Sequence, residues 1–190
     1  MDLKQLKNKT FLDIIKIKKG KLVKHKYTNE IELKSLLIRN KNKSNDVKVD
    51  LDLNAKIRVL LEHPEKNKDE IIELSEQTGI DDVGITRLYK IVDIMCDHIM
   101  SKPNFSGYSW KDDFKSEAFF RVFKYCTSFD HKKVSKISGT KVNAFAYISQ
   151  IIFNSILKVI NKNNKEAQDL EKAAAGLDFS YFEADDVRSI

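Results

Sequence analysis

PNFSGYSWKDDFKSEAFFRVFKYCTSFD (103–130), HKKVSKISGTKV (131–142) and NAFAYISQIIFNSILKVINKNNKE (143–166) form the stretch that decides the fold. Two apolar-periodic segments flank a basic connector. In the first, Trp110, Phe114, Ala118, Phe119, Val122, Phe123 and Cys126 recur at three- and four-residue intervals, the inward face of a helix from Ser109 to about Thr127. In the second, Ala144, Ile148, Ile151, Ile152, Ser155, Ile156 and Val159 mark a helix from Asn143 to roughly Lys165. The polar surpluses differ. Asp112, Asp113 and Glu117 line the outer side of the first helix, with Asp113 and Glu117 one turn apart. Seven Lys and His131 stand against the single acid Glu166 over residues 131–166.

Upstream, the same periodicity predicts helices over Glu30–Arg39, from Asn54 as N-cap through AKIRVLLEH, over Lys68–Gln77 and over Ile85–Met100. NKNKSND after Arg39 reads as a linker, and SKPNFSG as a polar turn. Six Gly and two Pro in 190 residues favour helices over a turn-rich β fold. The fold class is therefore all-α: a compact helical bundle with a basic N-terminal extension and a C-terminal peptide tail. Residues 1–80 are expected to hold the extension and accessory helices, 81–166 the principal helices, and 167–190 a linker and an acidic aromatic tail. Residues 1–29 carry nine Lys against Asp2 and Asp13.

A net charge of +6 is compatible with a polyanionic partner, and equally with a solvated lysine-rich surface. Cys96 and Cys126 fall within apolar-periodic runs and read as buried free thiols. No apolar run is expected to reach the eighteen or so residues of a membrane span, and no signal-peptide core precedes the bundle, which points to the cytosol. P-loop, dinucleotide-turn, HExxH and nucleophile motifs are missing from the sequence, so no enzyme, cofactor or metal is expected. A metal-binding carboxylate pair at Asp113 and Glu117 lacks a third ligand at a supporting spacing.

DFKSEAFFRVFKYCTSFD and AFAYISQIIFNSILKVI, with NFSGY ahead of them, resemble the late-transcription sigma factors of large tailed bacteriophages. The resemblance covers about residues 103–166 and is short at the tail. It implies a core-binding domain of the sigma-factor type in which the first helix grips a coiled coil of the largest subunit of host RNA polymerase. Asp113, Phe114, Glu117 and Asp130 fall at the family's polymerase-binding positions; Lys115 and Ser116 replace an apolar residue and a Gln of the usual pattern. The second helix then faces promoter DNA. Tyr147 occupies the place of a tyrosine that stacks on a flipped-out adenine, an interaction of roughly 1–3 kcal/mol per base. Gln150 and Ile151 stand where the housekeeping members carry a duplex-wedging tryptophan pair, and Asn154 replaces a base-contacting Gln. Lys158, Lys162 and Lys165 form a strip suited to a phosphate backbone. Leu177, Phe179, Tyr181 and Phe182 in LDFSYFE resemble the family's end segment that binds the phage sliding clamp.

The implied function is to direct host core polymerase to a single A/T-rich element upstream of the start site, in the cytoplasm of the host bacterium, with promoter DNA and the clamp as further partners. A rival reading uses residues 70–94 as a stand-alone helix-turn-helix regulator, or a basic DNA-binding module, with Thr86, Arg87 and Lys90 facing DNA. Asp81 and Asp82 at the start of its second helix suit the helix dipole but repel phosphate. A third reading is a polymerase regulator that binds protein alone.

Overall fold

Asn29 opens the first helix: its side-chain oxygen accepts from the Ile31 N–H at 2.7 Å, and Glu30 and Glu32 complement the dipole of the first turn. The computed structural model describes residues 29–134, 139 and 141–175. They form α1 (Glu30–Ser44), α2 (Leu51–Leu60), α3 (Lys68–Gln77), α4 (Asp82–Met100), the short α5 (Pro103–Ser106), α6 (Lys111–Tyr125) with a 3₁₀ turn at Cys126–Ser128, and α7 (Ala144–Ala175). Among the described residues there is no strand, only one isolated antiparallel bridge between Val134 and Lys141. The chain is all-α.

One main core unites α1, α4, α6 and α7. Leu33, Leu36 and Leu37 meet Leu88, Ile91, Val92 and Met95, with Phe114, Ala118 and Val122 from α6 and Ile148, Ile152 and Ile156 from α7. A smaller cluster of Ile31, Ile57 and Ile71 joins α1 to α2 and α3. The division expected at residue 80 falls inside this core, because α1 lines both clusters and Ile80 is fully buried in the larger one. Cys96 and Cys126 are buried free thiols, as their periodic surroundings predicted. Burial pushes their pKa values up to about 12 and about 11, so both stay protonated at neutral pH.

Three local expectations are corrected. NKNKS is not linker but the last part of α1, whose Asn42 side chain donates to the carbonyls of Ser75 (2.9 Å), Glu76 (3.1 Å) and Thr78 (3.1 Å). This polar run continues the helix because it closes the C-terminal end of α3. Asn54 is not an N-cap. Asp50 caps α2, its carboxylate accepting from the Asp52 and Leu53 N–H groups at 2.9 and 3.0 Å, while Asn54 is fully buried. SKPNFSG contains α5, started by Pro103 at its first turn, and buries Phe105 against Phe153.

α7 also corrects the membrane expectation: it contains an 18-residue window, of mean hydropathy 1.2, that is long and apolar enough by composition to span a bilayer. The stripe Ile148, Ile152, Ile156 and Ile160 is taken up by the core, and 39% of the window is buried.

Arg39 is 1% exposed and lies where α1, α2 and the α3–α4 turn meet. It donates through Nη1 to Asn54 Oδ1 and through Nε to the Ser35 carbonyl at 3.4 Å. Asn54 in turn donates to the carbonyls of Asp50 (2.7 Å) and Gly79 (3.0 Å). Burial pulls the Arg39 pKa down to about 10, with Asp81 opposing the shift, so the guanidinium is charged at neutral pH. A buried charge that loses its acceptor is expensive. Asn54→Ala is therefore expected to destabilise the fold by about 3 kcal/mol, read as a lower urea midpoint. A loss below about 0.5 kcal/mol, the range of ordinary surface changes, would contradict this role.

Candidate functional site

α6 and α7 pack antiparallel, and their contacts involve the residues that the sequence singled out. The α6 N-terminus has no side-chain cap; Asp112 and Asp113 in its first turn complement the dipole instead. Phe114, Ala118 and Val122 point into the core as the periodicity requires. That removes Phe114 from the set of surface contacts: it is fully buried, edge-on to Tyr108 at 5.7 Å, and can only position the helix. Asp113 is exposed. Lys115 ties α6 to α4 through Asp93 (2.6 Å) and Asp97 (3.1 Å). The hydrogen bond to Asp93 is the main reason its pKa is raised.

Glu117 is half-buried rather than free on the surface. Its carboxylate accepts from Arg121 Nε at 2.6 Å and from Lys158 Nζ on α7 at 2.9 Å. The Arg121 hydrogen bond, followed by that of Lys158, lowers its pKa. Lys158 thus bridges the two helices, with half of its side chain still in solvent.

Farther along the hairpin, the Tyr147 hydroxyl donates to the Tyr125 carbonyl at 2.8 Å, and the ring packs against Phe129 with centroids 5.3 Å apart. Burial raises the Tyr147 pKa, so the hydroxyl keeps its proton. Gln150 is half-buried and Asn154 exposed on the next turns. Lys162 and Lys165 are exposed, and Lys162 approaches Glu166 at 3.7 Å.

Asp130 is exposed at the end of the 3₁₀ turn, with one carboxylate oxygen accepting from the Lys132 N–H at 3.0 Å. The start of the basic connector is anchored on α3. Lys132 Nζ lies 3.0 Å and His131 Nε2 2.7 Å from Glu76. The Lys132 hydrogen bond is the largest reason that the Glu76 pKa is lowered. Leu177, Phe179, Tyr181 and Phe182 lie outside the described residues.

Phe120 is the residue the periodic reading passed over. It is 64% exposed, with Lys124 Nζ 5.9 Å from its ring centre, and the same ammonium lies 5.5 Å from the Tyr125 ring. Beside it, Tyr89 of α4 stacks on Phe123 at 4.0 Å and on Phe119 at 6.1 Å. The signal was in the sequence: with the inward stripe at 114, 118 and 122, the second Phe of an adjacent pair must face away. Asp113, Phe120 and Lys124 therefore share the outer face of α6.

The helix-turn-helix candidate is less available. Arg87 makes a two-pronged ion pair with Glu32 of α1, at 2.6 and 3.0 Å, and the Thr86 hydroxyl donates to the Asp82 carbonyl at 2.9 Å. The Asp81 carboxylate is spent on capping α4 through the Gly84 N–H and on Arg58. Burial acts to raise its pKa, but the Arg58 and Gly84 hydrogen bonds outweigh that and leave it lowered. Among the described residues, no group of three or more His, Cys, Asp or Glu is arranged to hold a metal ion.

The Glu117 bridge has a defined pH signature. Its native pKa lies below the ordinary 4.5, so the bridge stabilises the fold fully above that value and fades as pH falls through the native pKa. A double-mutant cycle of Glu117→Gln and Lys158→Met should give a coupling of about 0.5 kcal/mol at neutral pH. The coupling should fade as pH falls below 4.5 and through the native Glu117 pKa, as read by urea denaturation; a coupling that persists once the carboxyl is protonated would contradict the ion pair.

Compared with known proteins, the chain matches no family model, no curated protein and no solved structure.

Proposed function

We propose that the chain is a minimal sigma factor that carries host core RNA polymerase to late phage promoters in the bacterial cytoplasm. In this reading α6 docks on the coiled coil of the polymerase's largest subunit. α7 engages a single A/T-rich element upstream of the start site and holds it open. The segment with Leu177, Phe179, Tyr181 and Phe182 binds a sliding clamp that activates initiation. The protein supplies recognition and leaves the chemistry to the polymerase.

The observation that carries this reading is the α6–α7 hairpin. It sets Asp113 and Asp130, exposed on one arm, beside an α7 arm on which Asn154, Lys158, Lys162 and Lys165 all reach solvent. In this reading a docking surface and a polyanion-facing surface share one hairpin, as a factor that couples polymerase to DNA requires. Phe120 adds an apolar centre to the docking face, of the kind that carries interface energy when covered. Tyr147, at the hairpin's closed end, offers an aromatic ring for a displaced base. The Glu32–Arg87 pair argues against DNA reading by α4.

The test is direct binding to core polymerase. Asp113→Lys and Phe120→Ala change exposed groups and are expected to keep the thermal transition. Each should weaken the complex by about 2 kcal/mol, roughly thirtyfold. Glu117→Lys is a poorer probe, since it sets a third cation against Arg121 and Lys158. Wild-type affinity in both exposed-face variants would remove the docking assignment.

A further inference from the structure

α2 carries an aliphatic stripe that the rest of the bundle leaves open. Leu51 is 67% and Val59 65% exposed, and exposed Ala55 lies one turn from each. Val83, 59% exposed, lies two residues along the chain from Asp81, the partner of Arg58. Single exposed aliphatics are ordinary, but these recur at i, i+4 and i+8 and therefore share one face of the helix.

Both cations of α2 itself are paired, while acids at its two ends are not. Lys56 is taken up by Glu70 at 2.9 Å and Arg58 by Asp81. Asp52, Glu62 and Asp82 make no ion pair among the described residues. An occupant that is aliphatic along its centre and cationic along its edges matches this surface.

Residues 11–21 of this same chain, FLDIIKIKKGK, have that character. Phe11, Leu12, Ile14, Ile15 and Ile17 alternate with or precede Lys16, Lys18, Lys19 and Lys21, against the single acid Asp13. The tether also starts in the right place. Asn29, where the described structure begins, donates from Nδ2 to Glu65 Oε1 at 3.0 Å, in the loop that follows α2. From Asn29 to Ile17 the chain spans up to about 40 Å at ~3.3 Å per residue. Leu51 to Val59 is only ~12 Å along the helix.

We propose that the 11–19 segment docks on the Leu51–Ala55–Val59 face of α2, its aliphatic side chains covering the stripe and its lysines facing Asp52, Glu62 and Asp82. The inference is independent of the transcription reading. It makes α2 the anchor of the basic arm and sets that arm's lysines against acids of the bundle.

Disulfide trapping in the full chain tests it. Ile14→Cys/Val59→Cys is compared with Ile14→Cys/Gln168→Cys, whose second thiol is on the exposed far part of α7. The native thiols are buried and hard to deprotonate, so they do not compete. At low micromolar protein under mild oxidant, the α2 pair should close within the monomer at least about tenfold faster than the control, because docking raises the local thiol concentration. Adding Leu51→Asp, or raising salt to ~0.5 M, should slow it severalfold. Equal rates for the two pairs would overturn the proposal. So would a concentration-dependent disulfide dimer as the only product, which would assign the stripe to a second copy of the chain.

Discussion

A buried guanidinium has few ways to exist, and Arg39 determines how the front half of this protein joins the back. Its charge needs acceptors inside the bundle, and Asn54, fifteen residues away on another helix, supplies the main one. Asn54 is itself oriented by the carbonyls of Asp50 and Gly79, while the Ile80 N–H returns to the Arg39 carbonyl at 3.0 Å. α1, α2 and the turn into α4 are therefore fixed relative to one another by one polar node. Gly79 belongs to it for steric reasons: a Cβ there would meet the Val47 carbonyl oxygen at 2.8 Å. With the turn fixed, Asp81 caps α4, and α4 becomes the platform to which Lys115 and the Tyr89 stack fasten α6.

The polar contacts that link α6 to α7 are made by groups with a second use in the proposed function. Glu117 holds Lys158, and the Tyr125 carbonyl holds the Tyr147 hydroxyl. Under that reading, polymerase and DNA would act on a hairpin whose own pairings they compete with. An exposed ion pair of this kind contributes only about 0.2–1 kcal/mol, so such competition is inexpensive. The hairpin's register rests on the buried Ile148–Ile152–Ile156 stripe and remains in place when a polar contact is exchanged.

Much of the fold was legible because the apolar faces are regular. α3 occupies Lys68–Gln77 as the periodicity indicated, and the inward residues of α4, α6 and α7 follow their three- and four-residue spacing. What was not legible depends on partners distant in sequence. Asn42 looks like linker until the end of α3, more than thirty residues later, is placed beside it. Asn54 looks like a cap until Arg39 demands an acceptor. Glu117 looks exposed until α7 returns Lys158 to it. Phe120 was accessible to reasoning, since two adjacent Phe residues cannot share one face. Of the residues proposed to face polymerase, Asp113 and Asp130 are at the surface, Glu117 is partly withdrawn and Phe114 belongs to the core. The residues proposed to face DNA lie along one helix, with Tyr147 and Gln150 less exposed than Asn154, Lys158, Lys162 and Lys165.

Run-off transcription tests the central claim most directly, using purified host core polymerase, this protein and a late-type A/T-rich promoter offered both as duplex and as a template already melted at the element. Specific transcripts are expected only when the protein is present. Tyr147→Ala is also expected to lower output from the duplex by about tenfold or more, the equivalent of ~1–3 kcal/mol of lost stacking, and to spare the melted template. No protein-dependent transcript from either template, alongside tight sequence-specific DNA binding by the isolated chain, would contradict the claim.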